Sequence, residues 1–89
     1  MLKAPTIHIN GTSGKQLLDA HSDAYHALVA ALNGWRAIQP HGRDYYPQGE
    51  DAYAEARKAW EAHYSALQAA FVAISNAYLE IHEQLETKS

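Results

Sequence analysis

The residues best equipped for chemistry lie in one short stretch, 40–49, which reads PHGRDYYPQG. Arg43 carries a planar guanidinium with five donors, which suits a phosphate or a carboxylate. Tyr45 and Tyr46 offer hydroxyl groups and ring faces for stacking, and His41 can donate or accept a hydrogen bond. We therefore expect a small anionic ligand to be held at the following residues: His41, Arg43, Asp44, Tyr45, Tyr46 and, one or two turns into the next helix, Arg57.

The same stretch also has a purely structural interpretation. Pro40 and Pro47 restrict φ, and the two glycines permit tight backbone turns. Asp44 can pair with Arg43 or cap a turn, and the tyrosine rings can close the core. The sequence leaves open whether these side chains tie down their own turn or line a pocket.

Metal binding and catalysis find weaker support in the sequence. Asp23 and His26 have the i,i+3 spacing of half a di-metal carboxylate motif, but Glu80 and Glu83 farther along the chain supply no matching Glu-x-x-His. No phosphate-binding glycine loop, zinc-protease motif or nucleophile elbow occurs. We expect no catalytic residues, no metal and no cofactor, and hence a protein that is not an enzyme.

Composition narrows the possible partners. The chain has 89 residues, with seven Lys and Arg against ten Asp and Glu, for a net charge of -3. Binding along a nucleic-acid backbone needs a basic face, so we expect none. There is no Cys, which excludes disulfides and thiolate metal sites. No leader-like segment follows Met1, and no apolar run reaches the roughly 18 residues of a membrane span, so we expect a cytoplasmic protein without membrane contact.

Two long helices must position the chemically rich stretch. Apolar residues recur at 3–4 spacing before and after it, which is typical of helices with one buried face. The predicted fold is all-α, a long antiparallel helical hairpin with a short extended N-terminal arm, in a single domain spanning 1-89. Its predicted segments are arm 1-12, helix 13-38, hinge 39-49 and helix 50-85.

Local signals refine these helices. Asn10-Gly11 predicts a turn, and Thr12 or Ser13 is expected to cap the first helix, because a hydroxyl there satisfies free backbone N–H groups. A stripe of small residues in the first helix predicts close approach of a neighbouring helix. Its members are Ala20, Ala24, Ala27, Ala31 and Gly34.

The lengths of the two helices predict self-association. At 1.5 Å per residue the second helix is roughly 50 Å long and the first roughly 36 Å, so the hairpin leaves apolar residues uncovered. A symmetric dimer forming a helical bundle is the simplest solution, and a higher oligomer is an alternative. An aromatic stripe on the second helix has the spacing of core residues, but it is polar for a core and suits an interface better than a sealed interior. It comprises Tyr53, Trp60, Tyr64, Phe71 and Tyr78.

The segments 7–13 (IHINGTS) and 42–49 (GRDYYPQG), with the Ala-rich helix that follows, resemble a family of short accessory proteins of tailed phages and prophages. The resemblance implies a phage origin and a helical hairpin, and it supplies no activity. By analogy of class and size, the first hypothesis is a counter-defence sponge that sequesters a nucleotide-derived signal at the hinge of an oligomer. The alternative is an interaction module that inhibits a host protein or serves as a structural or virion accessory.

Overall fold

The architecture was obtained as a computed structural model, which describes residues 2–87. These residues form helix α1 (Gly14–Ala37), a short 3-10 helix (Gly42–Gln48) and helix α2 (Ala52–Thr87), with no strand among them. The two long helices pack side by side, so the prediction of an all-α helical hairpin is confirmed. The molecule is a rod measuring 61 × 19 × 18 Å.

Local capping sets the start of α1. The Ser13 hydroxyl oxygen accepts a hydrogen bond from the Gln16 backbone N–H at 3.1 Å, which confirms the predicted cap. The turn predicted at Asn10-Gly11 is also present, because the Gly11 N–H donates to the His8 carbonyl at 3.1 Å. The observed ends of α1 and α2 lie one or two residues from the predicted limits 13-38 and 50-85.

The hinge (residues 39–49) contains regular structure that was not predicted from the sequence. Its Gly42–Gln48 segment, called the hinge helix below, has 3-10 geometry and includes Pro47. The Asp44 N–H donates to the His41 carbonyl at 3.1 Å at its start. Gly49 ends it with φ of 108°, in the region that strongly favours glycine. The hinge is therefore an ordered element that can hold side chains in place.

The buried core lies toward the C-terminal end of α2. Its side chains are Leu32 from α1 and Ile74, Ala77 and Ile81 from α2. Residues 2–7 cover α2 there: the Ile7 N–H donates to the Gln84 amide oxygen at 2.8 Å, and the Gln84 amide donates to the Pro5 carbonyl at 3.0 Å. This reciprocal pair holds the N-terminal residues on α2. The extended conformation expected for arm 1-12 stays a prediction, and Met1 lies outside the described residues.

A reciprocal pair of tryptophans joins the helices at the hinge end. The Trp35 indole N–H donates to the Trp60 carbonyl at 3.2 Å, and the Trp60 indole N–H donates to the Trp35 carbonyl at 2.9 Å. The Trp60 ring also stacks on Tyr64, with centroids 4.9 Å apart. These contacts fix the axial register of α1 against α2 immediately before the hinge.

The stripe of small residues does not face α2. Ala20, Ala24, Ala27, Ala31 and Gly34 are all exposed. A Cβ added at Gly34 would meet no atom within 4 Å. The close approach that small residues permit is therefore not used along this stripe within the single chain, because larger side chains of α1 occupy the face that contacts α2.

This geometry makes Gly34→Ala a stabilising substitution. Alanine has the better helix propensity and restricts the unfolded chain, so the free energy of unfolding should rise by about 0.5–1 kcal/mol. Urea denaturation followed by circular dichroism measures the change. Gly49→Ala is the matched comparison: its φ of 108° strains any side chain, and stability should fall by about 1 kcal/mol. A loss of stability in Gly34→Ala would contradict the open surroundings of Gly34.

Candidate functional site

A hollow of about 520 Å³ lies where the hinge helix meets the start of α2. We call it the hinge hollow. Its volume falls in the range of about 300–1,000 Å³ that is usual for small-molecule sites. Its lining residues are Gly42, Tyr45, Tyr46, Gly49, Glu50 and Tyr53.

The tyrosines of the hinge hollow come from two elements. Tyr45 and Tyr46 belong to the hinge helix, and Tyr53 lies in the first turn of α2. The Tyr45 and Tyr53 rings have centroids 6.4 Å apart and are tilted by 48°. Tyr46 is 79% exposed, whereas Tyr45 and Tyr53 are half-buried. A Cβ on Gly42 would lie 4.0 Å from the Tyr53 ring, so that glycine backbone passes directly over the aromatic side chain.

The structure brings together only part of the predicted site. Tyr45 and Tyr46 line the hollow, whereas His41, Arg43 and Asp44 are exposed and lie outside its lining. The Arg43 guanidinium makes no ion pair or hydrogen bond within residues 2–87.

Arg57 also lies outside the hollow and already has partners. Its Nε donates to the Glu61 carboxylate at 3.1 Å. Hydrogen bonds with Glu61 and then Tyr53 raise the pKa of the Arg57 guanidinium above its usual value. The charge of Arg57 is thus already balanced within α2, so its predicted role in ligand binding would require breaking this ion pair.

Four lining residues were absent from the predicted site: the glycines Gly42 and Gly49, and two residues with functional side chains, Glu50 and Tyr53. Tyr53 follows Gly49 by four residues, about one helical turn, so its ring can face back over the hinge. Glu50 is the only charged residue among the described residues that line the hollow. An anion there would face a carboxylate, so the predicted anionic ligand gains no lining cation and stays a prediction.

A second feature is an open groove between α1 and α2 along one side of the rod. It contains two adjoining depressions of about 480 and 300 Å³. The first is lined by Tyr25, His26, Ser75, Tyr78, Leu79 and His82. The second is lined by Val29, Leu32, Asn33, Arg36, Gln68, Phe71 and Val72. The 3–4 spacing within each helix places these residues on one face, which we call the interhelical groove.

The floor of the interhelical groove is aromatic and aliphatic. The Tyr25 ring centroid lies 5.2 Å from that of Phe71 and 5.8 Å from that of Tyr78. Val72 is 56% exposed and Leu79 57% exposed, so the edges are apolar too. Such a surface suits an apolar partner better than a polar ligand.

Several polar side chains at the groove, those of Arg36, Asn33, His26 and His82, are already bonded within the chain. The Arg36 Nε donates to the Tyr64 hydroxyl at 2.8 Å, and its Nη1 donates to the Asn33 side-chain oxygen at 3.0 Å. His26 Nδ1 lies 2.7 Å from the Ser22 carbonyl oxygen, and His82 Nδ1 lies 3.1 Å from the Glu86 carboxylate. Across residues 2–87, no three His, Asp or Glu side chains gather in a way that could hold a metal ion.

No protein-family model matches the chain, and neither a curated protein nor a solved structure does. The resemblance to phage accessory proteins therefore stays a prediction. Neither α1 nor α2, as far as residues 2–87 are described, combines the length and the apolar character needed to cross a membrane.

Proposed function

We propose that the protein is a non-enzymatic helical interaction module. Its working form is a symmetric homodimer in which the interhelical groove of one copy packs on that of a second. The observation that carries the proposal is the surface left uncovered by a single chain.

The solvent-accessible surface of the chain is larger than that of a compact monomeric protein of the same mass. The chain exposes 6550 Å², whereas the scaling law for monomeric proteins gives roughly 5,200 Å² at its mass of 9.9 kDa. The excess of roughly 1,300 Å² exceeds the roughly 800 Å² that each partner buries in a standard interface. The radius of gyration is 18.8 Å, against roughly 12 Å for a compact domain of this length. The surplus surface therefore supports a partner.

A second copy fits the groove better than an unlike partner. In a two-fold interface the same patch lies on both sides, so the apolar centre of one groove meets the apolar centre of the other. Two hairpins joined in this way make a four-helix bundle. Arg36 is the only permanently charged residue among the described groove residues, and its donors are partly satisfied by Tyr64 and Asn33. Like-charge repulsion across the interface is thus small.

The dimer would carry two identical hinges and so act as a bivalent adaptor. Inhibition of a host protein and a structural or virion role both belong to this class of function. The sponge hypothesis also requires an oligomer. In addition, it requires a cationic side chain at the hinge hollow to bind the anionic ligand. Arg43, which makes no hydrogen bond or ion pair within residues 2–87, is the residue that would have to supply it. The lining carboxylate of Glu50 makes this hypothesis the less well supported one.

Charges placed in the groove should separate the dimer. In Val72→Glu combined with Leu79→Glu, two carboxylates lose their hydration against an apolar surface on each side. The dissociation constant should rise at least about 100-fold, since each lost apolar anchor is worth more than about 1 kcal/mol. Light scattering after size-exclusion chromatography, repeated over a dilution series, measures this change.

The matched control is Ala62→Glu combined with Ala69→Glu. Both alanines are exposed on α2 and lie outside the groove. The control pair should remain dimeric, and circular dichroism should show helical content in both pairs. A wild-type protein that stays monomeric at every concentration overturns the proposal, as does an equal loss of dimer in the two pairs.

A further inference from the structure

We propose that the hinge hollow is an aromatic cage for a methylated ammonium group, either in a small quaternary amine or on a methylated lysine side chain. The site lies within one chain. Its existence therefore does not depend on the proposed dimer, and the two proposals can fail separately.

The first support for the cage is its aromatic lining. Three tyrosine rings, those of Tyr45, Tyr46 and Tyr53, line a single hollow of about 520 Å³. A cation is attracted to a ring face when it lies within about 6 Å of the centroid. The Tyr45 and Tyr53 centroids are 6.4 Å apart and the rings are tilted by 48°, so a cation placed over the open side of the pair can lie within about 6 Å of both centroids. Tyr46, at 79% exposure, leaves a large ring surface free for a third contact.

The charge of the hollow points to a cation. Glu50 supplies a carboxylate to the lining, and no Lys or Arg does so among the described residues. Residues 39–61 contain five carboxylates and three Lys and Arg, for a net charge of -2. Arg57 lies outside the lining and hydrogen-bonds Tyr53, but its charge is paired with the Glu61 carboxylate at 3.1 Å. The local field therefore favours positive charge in the hollow.

The lining also selects the kind of cation. An unmodified ammonium is compact and strongly hydrated, and needs several acceptors to replace its water. The hollow offers one carboxylate among mostly aromatic surface. A methylated ammonium spreads its charge over an apolar coat and is the usual occupant of aromatic cages. The hollow therefore fits a methylated ammonium better than a bare one.

The test is a titration of the full chain with choline, with its neutral isostere 3,3-dimethylbutanol, and with a peptide carrying trimethyl-lysine. Proton NMR of the tyrosine rings reports binding at millimolar ligand. Choline or the peptide should give saturable shifts, and the neutral isostere should bind at least about tenfold more weakly, because it lacks the charge that the rings attract.

Variants connect binding to the cage. Tyr46→Leu removes one ring at an exposed position, and Glu50→Gln removes the carboxylate without changing shape. Each should weaken binding of choline or the peptide about two- to fivefold, because both side chains are exposed. Glu55→Gln, an exposed position in α2 outside the lining, should leave binding unchanged. The tighter of choline and the peptide identifies the source of the methylated ammonium.

Several results would overturn the proposal. Equal binding of choline and the neutral isostere would make the hollow an apolar crevice only. Binding of a cyclic nucleotide that disappears in Arg43→Ala, without binding of choline or the peptide, would make it the anion site of the sponge hypothesis. Absence of any saturable shift at millimolar ligand would show that the hollow binds neither class.

Discussion

Ile81→Ala is expected to lower the free energy of unfolding by about 3 kcal/mol, since truncating a buried isoleucine costs about 2–5 kcal/mol. Ile81 has no exposed surface, and it is the only fully buried large side chain in residues 2–87. It lies on α2 one turn before Gln84, which holds the N-terminal residues on that helix. A chain of this length has a total stability of about 4–13 kcal/mol, so the loss is a large share of it.

The measurement for Ile81→Ala is thermal and urea denaturation at one fixed protein concentration, because the proposed dimer would make stability depend on concentration. The melting temperature should fall by roughly 12 °C or more. Ile38→Ala serves as the control: it removes the same atoms from a side chain that is 59% exposed, and should cost less than about 1 kcal/mol. Equal effects of the two substitutions would contradict the difference in burial between Ile81 and Ile38.

Trp60→Ala is expected to be nearly as damaging, with a loss of about 3 kcal/mol. The indole is half-buried, stacks on Tyr64 and donates its N–H to the Trp35 carbonyl at 2.9 Å. Its removal therefore takes away packing, a ring stack and one of the two hydrogen bonds of the tryptophan pair that joins α1 to α2. Denaturation followed by circular dichroism measures the loss.

Conservative variants separate the parts of this effect. Trp60→Phe keeps a ring and removes the N–H, so it should cost about 1 kcal/mol, the usual net value of one hydrogen bond. Combined with Trp35→Phe, it forms a double-mutant cycle whose coupling should be at least about 0.5 kcal/mol, because the two indoles act at one contact. Strict additivity of the two substitutions would contradict the inference that the Trp35 and Trp60 hydrogen bonds depend on each other.

At the hinge, neighbours in the sequence do not all share one cavity in the structure. The sequence places Arg43 beside two tyrosines, which favours an anionic ligand. In the structure Arg43 lies outside the lining and Glu50 lies in it. The reason is rotation: consecutive residues of a short helix point in different directions, so closeness along the chain does not decide which side chains share a cavity.

The features that the sequence determined by itself depend on short-range interactions. Apolar spacing of three to four residues specifies helices, and glycine and proline between them specify the hinge, so the hairpin can be predicted with ends correct to one or two residues. The Ser13 cap follows from the same local rules, because its partner is Gln16, three residues away.

Only the tertiary structure decided which faces are covered. The hydrogen bond between Ile7 and Gln84 spans 77 residues, and each bond of the tryptophan pair spans 25. Such contacts set the rotation of each helix about its own axis, and that rotation turned the small-residue stripe to solvent while it left the interhelical groove open. Helical periodicity identifies a stripe, but packing between distant segments determines what it faces.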